Sequence, residues 1–486
     1  MLAGLPNDPG EANPYRNYEK SMGRTKYVLR RMVKEGYLTQ AEMAQILETS
    51  LELVTPRMDS DPSSYFSDYV VEKLQENYGR EFVYFGGLKI FTTLDVQYQK
   101  MAQKAAEAHL SSLDKSMMPR HDGESLQIAL VTIENKTGAI RAMLGGRKYS
   151  ISQFNRAVSN NRLPGSSFKP IVYYSAMESL GYSPATVLVD EPITIDIPGT
   201  EPWEPKNFND THYGNIVLKK ALMKSVNVIS AKLVHMLTPQ KLIQTARLFG
   251  ITSRLGNHLS LALGTSGVSP LEMATAYSVI ANLGVLNEPY LIQRIEDFHG
   301  NPLYEHFYHG VQRMAPESVY PLLDMMMGVM DGGTGSVVRR LGFKHPAGGK
   351  TGTTNDFKDA WFDGFTKDLT TTVWVGYDNN GPMINKNNKG LTGASAAAPI
   401  WALYMQKALE EKDRVKFPIP EGIKCARLDA ATGYLAKAET KEKIIVGVKK
   451  EVDLAEPPQE TPEALSKQEM WDFSPVPMEE DGLPEL

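Results

Sequence analysis

A single cysteine, Cys425, is all that 486 residues contain. That excludes an intrachain disulfide framework and any multi-cysteine metal site. Cys425 itself reads as a small buried or loop residue. Long apolar runs are missing too: no stretch approaches the ~20 residues that span a bilayer, and no charged-then-apolar signal pattern opens the chain. The chain as given is expected to be soluble, with any anchor lying upstream of Met1. Of nine histidines only His306 and His309 lie close together, without a cysteine or third histidine to complete a site, so no metal is expected. A concentrated basic stripe is also lacking, which argues against nucleic acid as a partner.

What charge there is lies unevenly. The net charge is −5, yet residues 451–486 hold eleven acids against Lys467 alone. The remainder carries 46 acids and 51 lysines and arginines, about +5. The acidic, Pro-rich end cannot bury enough apolar surface to order itself and is expected to be disordered. Trp471 and Phe473 within it would suit a short docking motif.

The length predicts two or three domains. The first fifty residues read as helical, with apolar positions at Tyr27, Val28, Met32 and Val33 and a break at Gly36. Thr39-Gln40-Ala41-Glu42 is a capping-box signature for a second helix, and Pro6, Pro9 and Pro14 make the preceding segment a loop. Residues 56–118 read as a connector with a strand over Leu88–Thr93 and a helix over Met101–Leu113. Ile128–Ile133 is a buried-strand run, turning through Asn135-Lys136-Thr137-Gly138 into a second strand, Ala139–Leu144. A long helical region is expected from 168 to about 282. Strands return at Ala360–Phe362 and Thr370–Val375, and a helix closes the region from about Ala394 to Leu409. Strands at both ends with helices between them predict an α/β sandwich whose sheet is built from non-contiguous chain.

Three short elements carry the chemistry. In Pro164-Gly165-Ser166-Ser167-Phe168-Lys169-Pro170, the second proline is tolerated only in a first helical turn, which puts Ser166 at a helix N-terminus. Positions i and i+3 share a face, so Lys169 can approach the Ser166 hydroxyl. A lysine acting as base must be largely neutral, which requires burial or a neighbouring cation. The second element, Lys224-Ser225-Val226-Asn227, presents a hydroxyl and an amide in one direction only if the backbone there is irregular. The third is Gly348-Gly349-Lys350-Thr351-Gly352-Thr353-Thr354, whose glycines permit close backbone approach at a strand edge. Its lysine and hydroxyls suit an anionic substrate group. A phosphate-binding loop fails, because that motif needs glycine at position 344 and Lys344 stands there. Each element alone is a weak signal. S-x-x-K, S-x-N and K-T-G in this order, about 60 and then about 125 residues apart, form a set that chance does not readily supply.

On these motifs the chain resembles the transpeptidase domain of class A penicillin-binding proteins. Val131–Gly146 resembles the family's first strand pair, Trp203–Asn207 its W-x-P-x-N segment, Leu263-Gly264 through Ala276-Tyr277 its helix after S-x-N, and Asp359–Phe362 its strand after K-T-G. The likeness extends over most of residues 80–430. Leu2–Pro6, Asn13-Pro14 and the Arg24 to Tyr37 pattern resemble the end of the family's glycosyltransferase domain, without its catalytic glutamates. The implied fold is α/β (α+β), of the serine β-lactamase/penicillin-binding transpeptidase type. It would have a mainly antiparallel sheet with helices on both faces and an inserted helical subdomain. The implied divisions are 1–55 glycosyltransferase remnant, 56–118 linker, 119–412 transpeptidase domain, 413–450 small extension and 451–486 disordered tail.

The resemblance assigns the roles. Ser166 would attack the penultimate D-Ala of a peptidoglycan stem peptide, Lys169 would take its proton, and Ser225 would relay it to the departing D-Ala. Asn227 would orient Lys169 and the substrate amide. Lys350, Thr351 and Thr353 would hold the substrate carboxylate, with Gly352 and Thr354 also lining the penicillin-binding strand. Backbone amides of Ser166 and Thr353 would form the oxyanion hole. No cofactor is implied. Expected partners are a D-Ala-D-Ala donor, an amine acceptor and β-lactams, in a cell-wall synthesis complex on the extracytoplasmic face of the bacterial membrane, with the anchor upstream. Val226 departs from the aspartate of β-lactamases but fits class A transpeptidases. The rivals are a D,D-carboxypeptidase or β-lactam hydrolase and a non-catalytic β-lactam sensor. The E-x-x-L-N deacylation pattern of class A β-lactamases is missing, which favours transfer to an amine over hydrolysis.

Overall fold

Thr39 and Glu42 close the capping box the sequence predicts: the Glu42 carboxylate accepts from the Thr39 amide at 2.7 Å, and the Thr39 hydroxyl from the Glu42 amide at 3.2 Å. Such a cap is worth about 1 kcal/mol. It starts α2 (Gln40–Glu48), which follows α1 (Tyr18–Lys34). The computed structural model describes residues 17–49, 63–120, 123–197 and 201–457 and a few single positions. Leu2–Pro6, Pro9, Trp471 and Phe473 lie outside the described residues, as does the tail from 458 onward. The chain forms two compact units, Met1–Asp61 with α1 and α2, and Pro62–Leu486 with the rest.

The second unit opens with α3 (Ser64–Tyr78), α4 (Arg80–Phe85), β1 (Lys89–Thr92) and α5 (Val96–Ser116). The stretch read as a connector is thus largely helical. Phe66, Val70 and Leu74 are buried in the main core, so α3 packs as part of this unit. Next come β2 (Gln127–Glu134) and β3 (Ile140–Leu144), joined by a turn in which Gly138 takes φ +81.

The central sheet has the order β10-β11-β12-β2-β3, all antiparallel, and draws its strands from both ends of the unit. Its remaining members are β10 (Gly348–Thr353), β11 (Asp359–Phe365) and β12 (Leu369–Gly376). Both faces are covered, and the two-residue period of a strand divides β2 between two cores. Ala129, Val131 and Ile133 join one cluster, and Ile128 and Leu130 the other. On the second face lie α5 and α13 (Gly393–Ala408).

The first face carries α6 (Lys169–Ser179), a hairpin of β4 (Val187–Asp190) and β5 (Gly214–Val217), then α7 (Leu218–Lys224), α8 (Asn227–Leu237), α9 (Pro239–Leu248) and α10 (Pro270–Ala281). The region expected to be helical from 168 to 282 is therefore interrupted by the β4–β5 hairpin. Its isolated four-residue strands fall below the length at which apolar periodicity separates strand from helix. Between α10 and the last sheet strands lie β6 (Val285–Leu286), β7 (Ile292–Glu296), β8 (Pro302–Glu305), β9 (Val311–Gln312), α11 (Pro316–Gly332) and α12 (Val337–Arg340). Met325 and Met326 are core residues of α11. A last hairpin, β13 (Ile423–Asp429) and β14 (Lys443–Lys449), is pinned where the Gly447 amide donates to Asp324 at 2.8 Å. Cys425 is exposed on β13, contrary to the expectation of a buried or loop residue. No helix among the described residues is long and apolar enough to cross a membrane.

Candidate active site

Ser166 lies in a single 3-10 turn, Gly165–Phe168, that runs directly into α6, with Pro170 in the first turn as expected. Three bonds hold this turn. The Gly165 amide donates to the Gly264 carbonyl at 3.2 Å, Tyr277 Oη to the Ser167 carbonyl at 2.7 Å, and Trp361 Nε1 to the Leu163 carbonyl at 2.8 Å. Gly165 takes φ +55, and a Cβ there would stand 2.8 Å from the Thr353 carbonyl oxygen. A Cβ on Gly352 would in turn meet the Pro164 carbonyl and stand 2.6 Å from Ser167 Oγ. The glycines thus let β10 lie directly against the turn that presents Ser166. β10 is also the edge strand of its sheet, so no further strand among the described residues pairs with its outer edge.

The S-x-N element has the irregular backbone that its chemistry requires. Ser225 ends α7 in the left-handed region, φ 57 and ψ 40. Its own amide bonds the Leu222 carbonyl at 3.0 Å and the Val226 amide bonds Ala221 at 3.0 Å. This is the helix stop in which glycine normally stands. A side chain there costs about 1–3 kcal/mol, and here it carries the hydroxyl of the site. Asn227 then begins α8.

These turns bring four predicted residues into hydrogen-bonding contact. Lys169 Nζ donates to the Ser225 carbonyl and to Asn227 Oδ1, both at 2.6 Å, and lies 3.3 Å from Ser225 Oγ. Lys350 Nζ reaches Ser225 Oγ at 2.9 Å and the Thr351 carbonyl at 2.9 Å. Ser225 therefore bridges two lysines, both wholly buried. Burial, and secondarily the charge of Lys350, push the Lys169 amine well below the ordinary lysine range. Burial lowers Lys350 to about 7, with Asp363 pulling the other way. Ser166 itself is half-buried, and among the described residues its hydroxyl has no hydrogen-bond partner.

The remaining predicted residues divide. Thr351 Oγ1 lies 2.7 Å from Thr334 Oγ1, in the loop after α11. The Thr353 hydroxyl accepts from the Gly393 amide at 3.0 Å. The Thr354 hydroxyl accepts from the Asp359 amide at 2.8 Å, so it serves the turn between β10 and β11. Asn227 Nδ2 is engaged as well, by the Lys206 carbonyl at 2.8 Å. Phe357, in the turn between β10 and β11, packs edge-to-face on Phe208 with ring centroids 6.1 Å apart.

Sequence reasoning did not single out Asp363. It sits opposite Lys350 in the β10–β11 register and is fully buried. Thr372 Oγ1 donates to its Oδ1 at 2.6 Å, while Oδ2 and the nearby Ser167 Oγ are buried without a partner. Burial raises its carboxyl to about 7. An acid inside a strand read as apolar, Ala360-Trp361-Phe362-Asp363, was the only signal that could have found it.

Residues 128–406 match the family described as the penicillin binding protein transpeptidase domain. Penicillin-binding protein 1A of Aquifex aeolicus is 32% identical over 86% of this chain and 67% of its own length. Penicillin-binding protein 2D of Bacillus subtilis is 33% identical over 89% of this chain and 62% of its own. The chain thus spans about two thirds of these relatives. The crystal structure of penicillin-binding protein 1A from Haemophilus influenzae superposes with a TM-score of 0.73 at 26% identity, covering 91% of this chain and 84% of that one. The PonA1 protein of Mycobacterium tuberculosis in complex with penicillin V shares the fold, at a TM-score of 0.64 and 24% identity. With S-x-x-K, S-x-N and K-T-G converging on one groove, the chain belongs to the penicillin-binding protein family and carries its serine D,D-transpeptidase domain.

Proposed function

We propose that this domain cross-links peptidoglycan stem peptides through an acyl-enzyme on Ser166. The observation that carries the reading is the pair of 2.6 Å partners of Lys169. The Ser225 carbonyl and Asn227 Oδ1 are both acceptors, so they occupy the two N–H bonds of a neutral amine. The lone pair is then left for a hydroxyl proton. Ser166 Oγ attacks the penultimate D-Ala carbonyl as its proton passes to Lys169. The tetrahedral oxyanion is held by the backbone amides of Ser166 and Thr353, each such donor contributing about 3–4 kcal/mol. The proton continues through Ser225 to the nitrogen of the departing D-Ala. Lys350, Thr351 and Thr353 hold the terminal carboxylate, and an amine from a second stem resolves the ester. β-Lactams enter the same path and stay on Ser166.

We propose likewise that residues 1–55 close a glycosyltransferase domain in the full-length protein. An upstream anchor there would hold the transpeptidase on the extracytoplasmic face of the membrane, in a cell-wall synthesis complex.

Incubation with a fluorescent penicillin tests the acyl-enzyme. We expect a covalent adduct that persists for many minutes and is lost in Ser166→Ala. Rapid release of hydrolysed drug would favour a β-lactamase, and an unlabelled protein would sink the enzymatic reading.

A further inference from the structure

Helix α8 starts without a cap of its own. Its N-cap residue is Val226, which has no side-chain acceptor for the amides of the first turn. The acceptor comes from twenty residues earlier in the chain. Asn207 Oδ1 takes the Asn227 amide at 2.9 Å and the Val228 amide at 3.2 Å. The other end of the same carboxamide, Nδ2, donates to both oxygens of Asp190, at 2.9 and 3.0 Å, and to the Thr211 carbonyl at 2.9 Å.

Asp190 fixes which way Asn207 faces. Both Asp190 oxygens accept from Nδ2, so a reversed Asn207 would set oxygen against oxygen and NH2 against the helix amides. Asp190 is 1% exposed, receives the Tyr213 amide at 2.9 Å and has His212 Nδ1 at 3.4 Å. The loop that carries Asn207 also holds the Asn227 side chain, through the Lys206 carbonyl. Asn227 is thereby gripped at its backbone and at its Nδ2, leaving Oδ1 aimed at Lys169.

We propose that Asn207 and Asp190 are positioning residues for acylation: Asp190 orients Asn207, Asn207 caps α8, and the capped helix presents Asn227 to Lys169. The proposal rests on the reading of Lys169 as the base for Ser166.

The test is a double-mutant cycle on the full chain. It reads the second-order rate constant for acylation by a fluorescent penicillin, with the thermal midpoint measured alongside. Asn207→Ala is expected to slow acylation about tenfold to a hundredfold, the scale on which a misplaced catalytic group loses rate. Asp190→Asn, which keeps an acceptor, should lose less. In an Asn227→Ala background either substitution should add almost nothing, because the route to Lys169 is already cut. A merely structural role would lower the midpoint and leave the rate losses multiplicative, and that result overturns the proposal. Should Asn207→Ala not fold, the Asp190→Asn arm carries the same cycle. Acylation at the unsubstituted rate in both single variants also overturns it. An unsubstituted chain that is not acylated overturns instead the reading of Ser166 beneath it.

Discussion

Among the described residues four lysines are buried, and they fall into two pairs with opposite surroundings. Away from the groove, Lys219 meets Asp324 at 2.7 Å and Lys232 meets Glu191 at 3.2 Å. In the groove, Lys169 and Lys350 have only hydroxyl, carbonyl and amide oxygens in hydrogen-bonding reach. Burial alone therefore does not mark a working lysine in this molecule. What distinguishes the groove is burial without a counter-ion in contact, which is the arrangement that makes an amine give up its proton.

Exchanging the roles of the two pairs would break this contrast most visibly. Lys169→Arg replaces the neutral amine with a permanent charge, since guanidinium stays protonated. Acylation of Ser166 should fall by about 10²–10⁴, as for loss of a general base. A stopped-flow assay with a chromogenic cephalosporin reads this directly, and near-normal rates would remove Lys169 from the mechanism. Lys219→Met is the converse. It leaves Asp324 buried and unpaired, which should cost about 3–5 kcal/mol in urea unfolding while the folded fraction still acylates.

The pH response sharpens the same comparison. Because Lys350 is lowered to about 7, the unfolded chain holds more protons than the folded one between about pH 7 and the ordinary lysine range. Stability contributed by this site therefore rises with pH across that window, and Lys350→Met should flatten the rise. Asp363 has the opposite sign: raised to about 7, it makes stability fall as pH climbs from the ordinary carboxylate range to about 7. Asp363→Asn should remove that fall. It should also move the alkaline limb of acylation to lower pH, since its charge is what raises Lys350. An unmoved limb would uncouple the two groups. The smallest change in stability is expected at Ser225→Gly, which relieves the left-handed backbone. It should gain roughly 1 kcal/mol of stability while acylation is lost.

The chemistry was largely legible before the fold. Pro170 announced a helix start, the three motifs announced a serine site, and the glycines around Lys350 announced an approach that β10 makes against Gly165. Those signals are local, carried by residue type within a few positions. The stretch before residue 118 reads as a connector in the sequence, while α3 buries its apolar face in the main core, and periodicity does not show what covers a face. The hydroxyls of Thr351, Thr353 and Thr354 are each engaged by residues distant from or across the turn, Thr334, Gly393 and Asp359, and residue type alone does not show these partners.

The sequence by itself determined that a serine, two lysines, a second hydroxyl and an amide were available in the order this chemistry uses. Tertiary structure decided which of them meet, and in what state. Lys169, Ser225 and Lys350 are separated by 56 and 125 residues, yet share one hydroxyl. Proton affinity follows from desolvation and neighbouring charge, and both are properties of the packed interior. The same holds for the cap of α8. Val226 cannot supply it, and nothing in the local sequence says that Asn207 does.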